Sequence, residues 1–151
     1  MAALVPKIIL MLILLAGSAF FSGSETAFIN LSPRQIRQLD KSDHKLQKLV
    51  ANLLGKRRRL LNCFLLGNMP VNVLFYAVAS VLIIRLTDSG GLVAAFAALL
   101  SFAGVLLFGE ILPKSLAYAN SKTFCVAAAL PAYLCLQILG PVEMVFKVTI
   151  L

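Results

Sequence analysis

Long apolar runs punctuated by a few polar residues leave this chain very few folds. Residues 8–31, 60–84 and 92–112 can each cross a hydrocarbon core about 30 Å thick at about 1.5 Å per helical residue. Backbone groups in lipid must be satisfied within the segment itself, so such runs become helices. Hydrophobic residues make up 60% of the 151, against roughly 45–50% in soluble domains. The sequence therefore predicts a single all-α transmembrane domain, with no room for a separate soluble one. The last run, residues 115–150, is apolar from Phe124 to Leu139, but Pro131 and Gly140-Pro141 divide it. Straight, it is long enough to span. Its prolines favour a bent juxtamembrane belt helix at the inner interface after the third of three transmembrane helices.

Charge sets the expected topology. The net charge is +8, and nine of the 14 Lys and Arg residues fall between Arg34 and Arg59. Cytoplasmic loops accumulate such residues, so this segment is expected inside, the N-terminus outside and the C-terminus cytoplasmic, in the cell (inner) membrane. Ser32-Pro33-Arg34-Gln35 carries a helix start signal: Ser as N-cap, Pro at the first position and Gln at the third. Beyond it Ile36 and Leu39, then Leu46, Leu49, Val50, Leu53 and Leu54, recur at helical spacing. This predicts a pair of short cytoplasmic amphipathic helices over residues 33–55, the second ending near Gly55. Lys56-Arg57-Arg58-Arg59 reads as a topology anchor that meets anionic lipid, not as a nucleic-acid patch. A turn is expected from Arg85 through Asp88-Ser89-Gly90 to Gly91.

Enzymatic readings find no support. There is no Walker-type loop, no nucleophile beside a base and no zincin motif, and Cys63, Cys125 and Cys135 have no metal-site spacing.

Polar residues inside the spans are where function is expected. Glu25, within Phe21-Ser22-Gly23-Ser24-Glu25-Thr26-Ala27, interrupts the first span. A charge at bilayer depth costs a few kcal/mol or more, so it calls for a cavity, a partner or an ion. The surrounding small, oxygen-bearing residues can open the helix toward a site for a hard cation. Alternatively, they form the water-facing end of the span. Asn68 and Asn72, on one face of the second span beside Pro70, either hold such an ion or bond to neighbouring helices. Glu110, in Gly109-Glu110-Ile111-Leu112-Pro113-Lys114, is a second intramembrane acid; its alternative is a pair with Lys114, four residues on. Glu143 and Lys147 have the spacing of a surface pair.

These three blocks, Phe21-Ser22-Gly23-Ser24-Glu25-Thr26-Ala27, Gly67-Asn68-x-x-x-Asn72 and Gly109-Glu110-Ile111-x-Pro113-Lys114, occur in order on successive spans. Together they resemble the transmembrane domain of the CorC/CNNM magnesium transporters. That resemblance implies a homodimer of three-span protomers, a juxtamembrane belt and sodium-coupled export of Mg²⁺. It places the metal on Ser22, Ser24, Glu25, Asn68, Asn72, Gly109 through its carbonyl, and Glu110, with Na⁺ as coupling ion. Glu110 is expected as a direct ligand, and Glu25 as an orienting or sodium-coupling group. An alternative function is a membrane-embedded Mg²⁺ sensor that regulates without transporting. Family members continue into cytoplasmic nucleotide-sensing domains, so a chain ending at Leu151 is expected to be the membrane part of a longer protein. Hard oxygen donors suit Mg²⁺, which takes a near-octahedral oxygen shell and gives up water reluctantly.

Overall fold

The computed structural model describes residues 2–86 and 91–150; the expected turn at Asp88-Ser89-Gly90 lies outside them. Among the described residues every regular element is helical: α1 Leu4–Asn30, α2 Pro33–Asp40, α3 Lys45–Leu54, α4 Arg57–Leu86 and α5 Gly91–Gly104. A π-helical segment, Val105–Ile111, then leads into α6 Leu112–Ala119 and α7 Ser121–Ile150. Among the described residues, four stretches are long and apolar enough to cross a membrane: α1, α4, the run from α5 through α6, and α7. Large apolar side chains such as Leu12, Ile13, Val73, Leu99 and Leu100 face outward. A surface of that kind is at home in lipid, not in water.

The helix start read at Ser32 takes the expected form. Ser32 Oγ accepts from the Gln35 backbone N–H at 3.3 Å, while the Ser32 N–H donates to Gln35 Oε1 at 3.1 Å. Leu39 on α2 and Val50, Leu53 and Leu54 on α3 are buried. These two short helices thus turn their apolar sides to the inner core.

Elsewhere the helices are more continuous than the breakers in the sequence suggest. The Ser-Gly-Ser run does not open α1, and the Thr26 hydroxyl donates back to the Ser22 carbonyl at 3.2 Å. Pro70 stays within α4, and Pro131 and Pro141 within a single α7, so the expected division of the last run into pieces is not found. The reason is the apolar setting. A proline removes one N–H, whereas a break would strand several groups with no water to receive them.

Two apolar clusters hold the helices. The larger joins Ala27, Phe28 and Leu31 of the α1 end to Leu60 and Phe64 of α4, Leu39, Val50, and Cys125 and Ala128 of α7. The smaller lies toward the other end of α1 and α4, around Phe75, Ala79 and Val105, with Met11, Leu14 and Leu15 against them.

α7 touches the same ends of its neighbours along its length. The Asn30 carboxamide donates to Ser121 Oγ at 2.7 Å, and twenty-two residues further on Glu143 accepts from Arg59 Nε at 3.1 Å and from Asn62 at 3.4 Å. Glu143 therefore pairs across to α4 instead of forming the expected pair with Lys147. Arg59 is 43% exposed, which limits that bridge to under about 1 kcal/mol.

Arg57 has a different task. Its guanidinium donates to the carbonyls of Phe28 and Ile29, which the end of α1 leaves without helical donors. Arg57→Ala should lower the thermal midpoint of the detergent-solubilised domain by an amount worth about 1 kcal/mol, with Arg57→Lys in between. An unchanged midpoint would show that water satisfies those carbonyls equally well.

Candidate ion-binding site

Between the two apolar clusters, all three core helices turn polar at one level. On α1 the change falls at Ser18, between Leu15 and Phe20; on α4 it spans Asn68 to Asn72, between Phe64 and Phe75. On the third helix it falls at Gly109-Glu110, between Val105 and Ala117. Ser18 precedes the end of α1 by twelve residues and Asn68 follows the start of α4 by eleven. At about 1.5 Å per residue the two sit about 17 Å from those helix ends, well inside both apolar helices.

The contacts are specific. Ser18 Oγ donates to Asn68 Oδ1 at 3.3 Å, and Asn72 Nδ2 donates to Glu110 Oε1 at 3.4 Å. Gly109 closes the layer, since a Cβ there would stand 3.1 Å from Ser18 Oγ. The interhelical bonding weighed for the asparagines thus exists. Glu110 is bonded to Asn72, and its alternative pair with Lys114 is not formed. Both hydrogen bonds lie beyond the usual range of about 2.7–3.2 Å, so they hold the layer loosely.

Among the described residues, three buried oxygens have no hydrogen-bond partner: Ser22 Oγ, Ser24 Oγ and Asn72 Oδ1. An unpartnered buried polar group costs about 1–3 kcal/mol, a burden that a bound cation would lift. Ser22 follows Ser18 by four residues and shares its face of α1. Ser24 does not. Two residues on, it lies about 160° around the helix from Ser22, on the side where a Cβ on Gly17 would stand 3.6 Å from Val71. Glu25 is seven residues after Ser18, on the same face but about 10 Å nearer the α1 end; half-buried, it has no hydrogen-bond or ion-pair partner among the described residues.

The structure therefore gathers Asn68, Asn72, Gly109 and Glu110 with Ser22 at the edge, and leaves Ser24 and Glu25 outside that group. It also adds Ser18, which sequence reasoning missed. A single hydroxyl in an apolar run is a weak signal, though its four-residue spacing from Ser22 pointed the same way.

The π-helical segment explains how Glu110 reaches the layer. Pro113 would push its ring into the Gly109 carbonyl four residues back in an ordinary helix. The wider turn over Val105–Ile111 takes up that conflict, and such turns recur at functional sites. The side-chain groups brought together are one carboxylate, two carboxamides and a hydroxyl. No group of three or more His, Cys, Asp or Glu that could hold a metal occurs among the described residues. The donor set suits a hard cation, not a soft transition metal.

Apolar helices of spanning length packed around a polar layer define a polytopic helical membrane protein with a polar site between its helices. The sequence pattern of the Cyclin M transmembrane N-terminal domain matches residues 9–150, and the chain belongs to that CNNM family. It is 40% identical over 100 residues to the UPF0053 inner membrane protein YfjD of Escherichia coli, covering 66% of this chain and 23% of that protein. A UPF0053 protein of Haemophilus influenzae is 39% identical over 114 residues, covering 76% and 27%. The metal transporter cnnm-1 of Caenorhabditis elegans is 36% identical over 107 residues, covering 68% and 12%. The chain thus spans about a quarter or less of the length of these relatives.

Proposed function

We propose that this domain carries Mg²⁺ across the membrane, exporting it in exchange for Na⁺, through the layer formed by Ser18, Ser22, Asn68, Asn72, Gly109 and Glu110. The observation that carries this reading is the Asn72–Glu110 pair. It combines an acid with a buried carboxamide oxygen that nothing else satisfies. Glu110 supplies the charge and Asn72 Oδ1 a neutral donor, with Asn68 and Gly109 completing the ring from two sides. Ser24 and Glu25, named with these residues by family resemblance, take separate parts. Glu25 lines the approach from the α1 end, where it meets the ion before or after the layer, and Ser24 braces the α1–α4 contact. One formal charge at the centre suits an ion that must leave as well as enter.

In this reading the working unit is a homodimer with three spans per protomer, the N-terminus outside and α7 a cytoplasmic belt. Support for the belt comes from its partners, since Ser121 bonds to Asn30 at the end of α1 and Glu143 to Arg59 at the adjoining start of α4. A helix running alongside the spans would have reached their far ends over that distance, about 33 Å. Lys56 and Arg58 remain the lipid-facing members of the basic run, because Arg57 and Arg59 have partners within the chain.

Purified domain in liposomes, followed with a Mg²⁺ indicator under an opposed Na⁺ gradient, tests the function. Sodium-dependent Mg²⁺ movement is expected, and Glu110→Ala should abolish it. Mg²⁺ binding without any flux would replace the transporter with the sensor reading.

A further inference from the structure

Beside the end of α1 a groove of about 480 Å³ is lined by Ser32, Pro33, Arg34, Arg37, Gln38 and Lys41. We infer that this groove binds the phosphate of an anionic phospholipid headgroup, in the leaflet at the Asn30 end of α1.

Three cations line it and no acid does. Arg34, Arg37 and Lys41 recur at three- and four-residue intervals, which brings them to one side of α2. All three are exposed, and none has an ion-pair partner among the described residues. The opposite side of the helix is fixed to the protein by the fully buried Leu39 and by Ile36 packed on the same cluster. The capping box at Ser32 and Gln35 locks the first turn, so the cationic side is held on a rigid element. Two members of the neighbouring basic run are engaged otherwise, Arg57 on the α1 carbonyls and Arg59 on Glu143. Guanidinium groups match phosphate oxygens in a two-pronged way that a lysine cannot.

Position selects a lipid over a soluble phosphate. The groove begins at Ser32, two residues past the end of α1, and Ile29 just before it is 50% exposed. Apolar span gives way to cationic groove within one turn, which is the profile of acyl chain followed by headgroup. A lipid lying along α1 delivers its phosphate at high local concentration, whereas a free anion gains nothing from the adjoining apolar surface.

The test titrates the purified chain in neutral detergent with short-chain phosphatidylglycerol, phosphatidylcholine or inorganic phosphate, counting bound molecules by native mass spectrometry. Phosphatidylglycerol should bind at least tenfold more tightly than phosphatidylcholine. R34Q/R37Q/K41Q should weaken it about tenfold or more, while K45Q/K48Q/K122Q, which removes equal charge elsewhere, should change it less than twofold. The single variant Arg37→Gln, at an exposed position, should weaken binding about threefold and keeps the test decisive if the triple variant does not fold. Equal loss in both triple variants would mean diffuse charge attraction and overturn the site. Millimolar inorganic phosphate displacing the lipid would overturn the lipid source. Neither outcome touches the ion-transport reading, which is tested separately at Glu110.

Discussion

Replacing Glu110 with Gln is expected to remove the thermal protection that Mg²⁺ gives the detergent-solubilised domain, without lowering stability in Mg²⁺-free buffer. The substitution keeps the shape, and the Asn72 carboxamide can still donate to the remaining oxygen at position 110. What disappears is the negative charge, the one formal charge in the polar layer. A ligand at a hundred times its Kd stabilises by about 2.7 kcal/mol, so the wild-type midpoint should rise by roughly 5–10 °C and the variant's should not move. Without Mg²⁺ the variant should match or exceed wild type, because an intramembrane carboxylate is costly to keep. Asn72→Ala provides the second arm. It deletes the unpartnered Oδ1 together with the long 3.4 Å bond to Glu110, so Mg²⁺ protection should shrink. Full protection in both variants would place the ion elsewhere and sink the assignment.

A second large effect is expected at Gly67. There a Cβ would stand 2.6 Å from both Cε1 and Cζ of Phe21, closer than real contacts allow. The ring has little freedom to withdraw, since Phe20 and Phe64 flank it with centroids 5.4 and 6.5 Å away. Gly67→Leu adds a whole side chain to this cluster, and overpacking of this kind costs typically about 1–3 kcal/mol. Because Asn68 follows directly, the strain also tilts the α4 face that bears both asparagines. A lower thermal midpoint together with weaker Mg²⁺ protection is therefore expected. Phe21→Ala in the same chain should restore much of both, since it vacates the volume the new side chain needs. Loss without rescue would show that the contact is not what positions α4.

Element types were legible in the sequence, and so were the capping box at Ser32 and the two short helices that follow. Run length and periodicity report these directly, because a chain in lipid has few alternatives to helix. Helix breakers were the misleading signal. Ser22-Gly23-Ser24, Pro131 and Pro141 carry the residues that end helices in water, yet α1 and α7 pass through them. Gly23 serves packing instead, with Phe124 of α7 seated where its side chain would have been, 2.6 Å from the Cβ position. At the site, four-residue spacing was enough to pair Asn68 with Asn72, but not to say which helix each would meet. That depends on rotation about the helix axes, which packing alone fixes. The same rotation brings in Ser18, while Ser24 is parted from Ser22 because α1 stays helical through both.

The wide turn over Val105–Ile111 has a further geometric consequence. It stores one surplus residue, and a helix cannot shed such a residue without revolving everything downstream by about 100°. Tightening to ordinary winding would swing Glu110 off the Asn72 carboxamide and drag Ala117 out of the inner cluster together. Carboxylate position and bundle closure are thereby geared to one torsional coordinate.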